Sequence, residues 1–270
     1  MYKRYTTGGT YTGYDVLATT PQDTIKNGAL DWAQYYNTVT VDGLTLIKNE
    51  SAEAIANYVV LGFEQAEIEM AQNLNTGIWS DGAADPKAIV GLEAIVDDGG
   101  VAAAYAGITR SSNTWWNAQD DSTSATLTLT VLQSLFSSAT QGGRHPTLIA
   151  SRSDQYNRYW NLNTSQQRFP VNAMGHDEQL ASSGFTNLLF NNIPWCIDDG
   201  VFDGPDTSNS AVVMLNEDFL RFAVSPRADF ALGDFQEPVN QDAMVAKLLW
   251  AGQLISTNCN VHGKLSGITA

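Results

Sequence analysis

The chain is short of charge, of histidine and of cysteine. Charged residues make up only 16% of its 270 residues, well under the usual quarter. Its polarity is carried by Ser, Thr, Asn, Gln and Gly, which suit strands, turns and broad polar contacts better than a free-standing helical bundle. Basic residues are scarcest, 14 Lys and Arg against 29 Asp and Glu, for a net charge of −15. A protein that grips nucleic acid through phosphates carries a basic stripe. The densest basic positions here are Lys3-Arg4 and the scattered Arg144, Arg152, Arg158 and Arg168, which argues against sequence-specific DNA binding and leaves non-specific contact with bulk nucleic acid open. Two cysteines, Cys196 and Cys259, are too few for a disulfide scaffold, and neither lies in a CxxC. Both sit beside apolar, strand-like residues and are expected as buried free thiols.

Signatures of chemistry are missing too. No GxSxG, Walker loop or GxGxxG occurs, and His145, His176 and His262 form no HxxxH or HExxH pair. The adjacent acids Asp97-Asp98, Asp120-Asp121 and Asp198-Asp199 stand beside Gly or Ser, where carboxylates cap turns. Glycosidase carboxylates must instead flank a bond across a cleft. The loop from Asp198 to Asp206 has a calcium-loop composition without the alternating ligand register. The expectation is a non-enzyme with no catalytic, cofactor-binding or metal-binding residues. No segment approaches the ~20 apolar residues of a membrane span, and the first residues lack the apolar core of a signal peptide. Cytoplasmic synthesis with no membrane partner is expected.

What is present is a set of unusual segments. Tyr2, Tyr5, Tyr11, Tyr14, Tyr35 and Tyr36 are interleaved with Thr and Gly, and Val39-Thr40-Val41 and Leu44-Thr45-Leu46 flank Asp42-Gly43. Asp-Gly between β-prone runs signals a hairpin. So little apolar content cannot make a core, so this arm must lie on the body of the protein or on a neighbouring subunit. From Ser51 to Asn75, Ile55, Val59, Phe63, Ala66, Met70 and Leu74 form one stripe of a helix, about 36 Å long. Ser51 is its expected N-cap. Asp85-Pro86 is expected to start a second helix carrying Ile89, Leu92, Ile95 and Val96 inward. A third is expected over Thr123–Thr140, stopped by Gly142-Gly143, and a fourth over Ser153–Leu162. Strands are expected at 147–150, 185–190, 193–197, 211–215, 246–256 and 263–268. The mixture is α+β, without strict βαβ alternation.

Gly91–Gln119, reading GLEAIVDDGGVAAAYAGITRSSNTWWNAQ, spends two tryptophans and an arginine on a loop-like segment. Tyr, Trp and Arg are the usual interface anchors. Tyr11, Tyr14, Arg110, Trp115 and Trp116 are therefore the interface or anchoring candidates. For Arg110 the competing reading is a local hydrogen bond to a turn carbonyl or carboxylate; for the tryptophans it is core anchoring or a stacking platform.

The order of elements carries a resemblance. A Tyr/Gly/Thr arm leads into a long helix, then GLEAIVDDGG and YAGITRSSNTWWNA, then a helix, then LIASRSDQYNRYW, and the chain closes with FQEPVNQDAMVAKLLWAGQLISTN and GKLSGIT. This resembles the major capsid proteins of tailed bacteriophages, with their Hong Kong 97-like fold. The resemblance implies an extended loop over 1–38 that reaches over an adjacent subunit, and a peripheral domain over 39–90 and 235–270 with its spine helix at 51–75. It places an axial domain over 91–234. It suggests that the N-terminal arm seen in such proteins is absent here. It also implies self-assembly as pentamers and hexamers into an icosahedral virion shell around double-stranded DNA, with portal, scaffolding and decoration proteins as partners. Two alternatives stand beside it: an encapsulin-like nanocompartment, and a carbohydrate-binding protein or glycosidase using Trp115, Trp116 and the acid pairs.

Overall fold

A computed structural model describes residues 8–21, 24–48, 52–122, 126–164, 188–204, 210–239 and 241–268. The architecture begins with alternation: in β1 (Ala33–Asp42), Ala33, Asn37, Val39 and Val41 are buried while Gln34, Tyr36, Thr38 and Thr40 face out, the period of a half-buried strand. Its partner is β11 (Ala243–Ser256), antiparallel along the full length from Ala33 opposite Gly252 to Asp42 opposite Ala243. The expected hairpin at Asp42-Gly43 does not form. The chain turns there into the short helix α1 (Gly43–Lys48). The Asp42 carboxylate accepts the Thr45 N–H at 3.2 Å, an N-cap bond, and Gly43 N–H donates to Asp242 O at 3.0 Å. A Cβ at Gly43 would run into the Asp242 carboxylate, so the glycine serves close approach.

Helix α2 (Ala52–Trp79) is 28 residues long, about 42 Å. Ala66, Met70 and Leu74 of the expected stripe are buried and Phe63 is half-buried. Asn37 of β1 donates to Ala66 O at 2.8 Å, fixing helix to strand. The helix runs a turn past Asn75 because Asn75 Nδ2 and Trp79 Nε1 both donate to the Asp198 carboxylate, at 3.1 and 3.0 Å. The expected cap, Ser51, lies outside the described residues.

The second expected helix is mostly turn. Asp85 Oδ1 accepts from Lys87 N–H and Asp85 O from Ala88 N–H, both at 2.9 Å, so Asp-Pro opens an aspartate turn. Helix remains only at α3 (Leu92–Ile95), though Ile89, Leu92, Ile95 and Val96 are all buried as expected. Next come the hairpin β2 (Ala104–Tyr105) and β3 (Ile108–Thr109), a 3-10 turn at Thr114–Trp116, and β4 (Gln119–Asp121). The third helix, α4 (Leu129–Ala139), starts later than expected. Thr128 is its cap, accepting from Val131 N–H at 3.2 Å, and residues 123–125 lie outside the described set.

The remaining elements are β5 (Leu148–Ser151), α5 (Ser153–Thr164), β6 (Leu189–Phe190), β7 (Ile193–Ile197), β8 (Val212–Leu215), β9 (Leu220–Val224), β10 (Ala231–Leu232) and β12 (Gly263–Leu265). The expected strand at 185–190 is described only at its end, and the one at 263–268 stops at Leu265. In one sheet β11 is central, pairing with β1, β9 and β10; the other runs β4-β12-β8-β5-β7-β6. One core, including Met70, Ile89, Ile95, Trp116 and Trp250, lies under α2 and the first sheet. A second, including Leu132, Ile149, Tyr159, Trp195 and Met214, joins α4 and α5 to the other sheet.

The cysteine expectation holds for Cys259 and fails for Cys196, which is exposed. Trp195 faces inward on β7, and alternation sends its neighbour outward. Burial pushes the Cys259 thiol up to about 12.

Candidate functional site

The anchoring candidates separate into two groups. Residues 8–21 are exposed throughout, with Tyr11 at 67%, Tyr14 at 103% and Val16 at 99% of full exposure. A local turn ties Thr12 to Asp15: the Asp15 carboxylate accepts the Thr12 N–H at 2.8 Å and the Thr12 hydroxyl at 3.1 Å, and Asp15 N–H donates to Thr12 O at 2.9 Å. Apolar side chains this solvated have no cover among the described residues. Tyr36 and Leu249, direct cross-strand partners, are also exposed and line a groove with Gln34, Thr38 and Lys247.

Arg110 and Trp116 are the opposite case, at 0% and 1% exposure. The Arg110 guanidinium donates to the carbonyls of Asp97 and Ala94 and, at 3.3 Å, to Ile95 O. These lie at the end of α3, where carbonyls lack helical partners and carry partial negative charge. The bonds Arg110 makes are to turn carbonyls. Trp116 stacks on Tyr105, with ring centroids 6.2 Å apart, and Tyr105 OH accepts Ser256 N–H at 3.0 Å. Trp115 is half-buried, its ring 5.8 Å from that of Trp116. The crossing from α3 to β4 is thus pinned to the second half of β11. Trp116→Phe should lower stability by about 1–2 kcal/mol, since buried volume is lost, while Trp115→Phe should cost well under half that. Urea midpoints of the two variants check the asymmetry; equal shifts would contradict it.

A buried ionic group escaped sequence reasoning. Asp97, expected as a turn-capping acid, is fully buried. Its carboxylate accepts N–H bonds from Gly99 (2.9 Å), Val101 (3.1 Å) and Ala102 (2.9 Å). Lys264, 2% exposed, places Nζ 3.0 Å from Asp97 Oδ1 and 3.3 Å from Asp120 Oδ2. Burial alone would raise the Asp97 carboxyl; the backbone N–H bonds and the Lys264 ammonium outweigh it and hold the group below the usual carboxylate range. At Asp120 burial wins and pushes the carboxyl up. Ligand atoms of Asp97, Asp98 and Asp120 lie within 4.8 Å of one another, but the Lys264 ammonium already supplies the positive charge there. No local signal in GKLSG marks this lysine, because Asp120 reaches it through the pairing of β4 with β12 and Asp97 through the turn after α3.

The other acid pair, Asp198-Asp199, is a structural tie. Besides Asn75 and Trp79, Asp198 accepts Gly200 N–H at 2.8 Å, and these bonds overcome burial to hold its carboxyl low. Residues 205–209 of the calcium-like loop, and His176, lie outside the described set. His262 is fully buried. Its Nδ1 accepts Asn216 N–H at 3.1 Å, its Nε2 is 3.2 Å from Ser256 Oγ, and burial lowers it to about 3. No helix among the described residues is long and apolar enough to cross a membrane.

No family model matches the chain, and no curated protein matches it by sequence. Solved structures do match: the chain has the Hong Kong 97-like fold of phage capsid proteins, and the resemblance drawn from element order holds at the level of fold. It is similar to a chain of the cyanophage A-1(L) capsid asymmetric unit, with a TM-score of 0.67 at 16% identity over 97% of this chain and 85% of that one. The SrpI encapsulin of Synechococcus elongatus gives 0.61 at 11% identity over 92% and 78%. The capsid of an empty GTA particle gives 0.57 at 12% over 97% and 81%.

Proposed function

We propose that this chain is the major capsid protein of a tailed double-stranded DNA bacteriophage, assembling as pentamers and hexamers into an icosahedral shell. The observation that carries the reading is the likeness in fold to a phage capsid protein over 97% of the chain. In this reading residues 1–38 form the extended loop, its last residues entering β1, and drape over a neighbouring subunit that covers Tyr11, Tyr14 and Val16. Helix α2 is the spine of a peripheral domain formed by 39–90 and 235–270, and 91–234 form the axial domain that closes the rings. The role of the protein in the shell is geometric. A net charge of −15 fits DNA held by confinement with non-specific contact. Portal, scaffolding and decoration proteins complete the partners, and the finished location is the virion, assembled in the host cytoplasm.

The test is electron microscopy of the purified protein. Closed particles with five- and six-fold clusters are expected; a monomer at every concentration would overturn the proposal. The encapsulin likeness supports a second reading, a shell around protein cargo. Nuclease-protected DNA in native particles favours the phage reading, and a single co-purifying enzyme inside DNA-free shells favours the other.

A further inference from the structure

The group formed by Lys264, Asp97 and Asp120 has the parts of a self-condensing site. Strand β12 lies parallel to β4 with Lys264 in register opposite Asp120, so the two side chains meet on one face of the sheet. Lys264 Nζ is 3.3 Å from Asp120 Oδ2 and 3.0 Å from Asp97 Oδ1. Asp97 and Lys264 are almost wholly removed from solvent, and Asp120 nearly so. Apolar cover is close: the Phe202 ring centroid is 5.7 Å from Nζ, and Ala118 and Leu265 are buried beside the two strand residues. Ser266 Oγ donates to Asp120 Oδ1 at 2.7 Å, fixing the carboxyl plane.

We propose that Lys264 and Asp120 condense within the folded subunit to a side-chain amide, with Asp97 as the base, locking β12 to β4 covalently. Asp97 takes one proton from the Lys264 ammonium. The freed amine attacks Cγ of protonated Asp120, and the new C–N bond forms as the C–OH bond breaks. A second proton from nitrogen joins the departing hydroxyl, so one water leaves and Asp97 ends protonated. No other reactant is needed. Holding amine and carboxyl in contact supplies the entropic part of the barrier. The two aspartates are also pushed apart in acidity, Asp97 down by its N–H bonds and ion pair and Asp120 up by burial, which divides the base from the neutral electrophile.

The experiment is intact-mass measurement of the full chain under denaturing conditions, after long incubation of the folded protein at neutral pH. Wild type should fall below its sequence mass by one water, and Lys264→Arg, which keeps the charge without a nucleophilic amine, should show its full mass. Proteolysis should release one branched fragment joining the segments around 120 and 264, which separates this bond from dehydration elsewhere. Wild type at full mass, leaving an ion pair only, would overturn the proposal, and needs no variant to fold. A branch through Asp97 would overturn the assignment of Asp120 as electrophile. Asp97→Asn should show full mass; a bond formed as completely as in wild type would remove Asp97 from the base role.

Discussion

Arg110→Ala should be destabilised by about 4–5 kcal/mol, among the largest effects a single substitution produces. The guanidinium is fully buried and satisfies carbonyls at the end of α3. Alanine leaves the Ala94 and Ile95 carbonyls without this donor inside the core and opens a cavity. Against a typical total of about 5–15 kcal/mol, the loss would leave little soluble subunit. Arg110→Lys should not restore it, since one ammonium cannot reproduce a planar fork directed at several carbonyls. Urea unfolding and soluble yield are the measurements, with Tyr14→Ala as the exposed control. A midpoint for Arg110→Ala within a few tenths molar of wild type would show that the carbonyls find other partners.

Arg110 also illustrates what could be read from sequence. Its type and setting in a Trp-rich loop marked it as an anchor, but its partners are carbonyls of a helix that local pattern placed wrongly. The long helix was legible because its apolar stripe repeats over many turns, each reinforcing the same period. Asp42-Gly43 misled because hairpin chemistry and helix capping use the same residues. The true partner of β1 is β11, some 200 residues away, and no local signal competes with Asp-Gly. Lys264 was invisible for the same reason: a lysine becomes a buried cation only when two distant strands are laid side by side.

Acidification should lower subunit stability by about 3 kcal/mol between pH 7 and pH 4 through His262 alone. Its folded value is near 3 against 6.5 for the unconstrained group. In that interval the unfolded chain binds a proton that the folded chain refuses. The contribution is therefore complete above about pH 6.5 and is lost as pH falls towards 3. Asp97, held low in the fold, adds loss in the same direction at the acid end. Asp120 and Glu93, raised chiefly by burial, act in the opposite direction, so the share of the histidine is read by comparison with a variant that lacks it. His262→Gln keeps an acceptor for Asn216 N–H without a titrating ring, and its urea midpoint should fall less than that of wild type across that interval. Parallel profiles for variant and wild type would exclude His262 as the cause.

The placement of β11 and β12 has a consequence for how the protein is made. β11 is the central strand of one sheet and β12 sits between β4 and β8 in the other. Neither sheet can close on the ribosome until residues 243–265 have been synthesised. Nascent chains in a polysome, however crowded, then carry β1, β4 and β9 without the strands they pair with, and β8 paired on its β5 side alone. Synthesis itself acts as a timer, and only chains made at least through Leu265 can present a finished surface to one another.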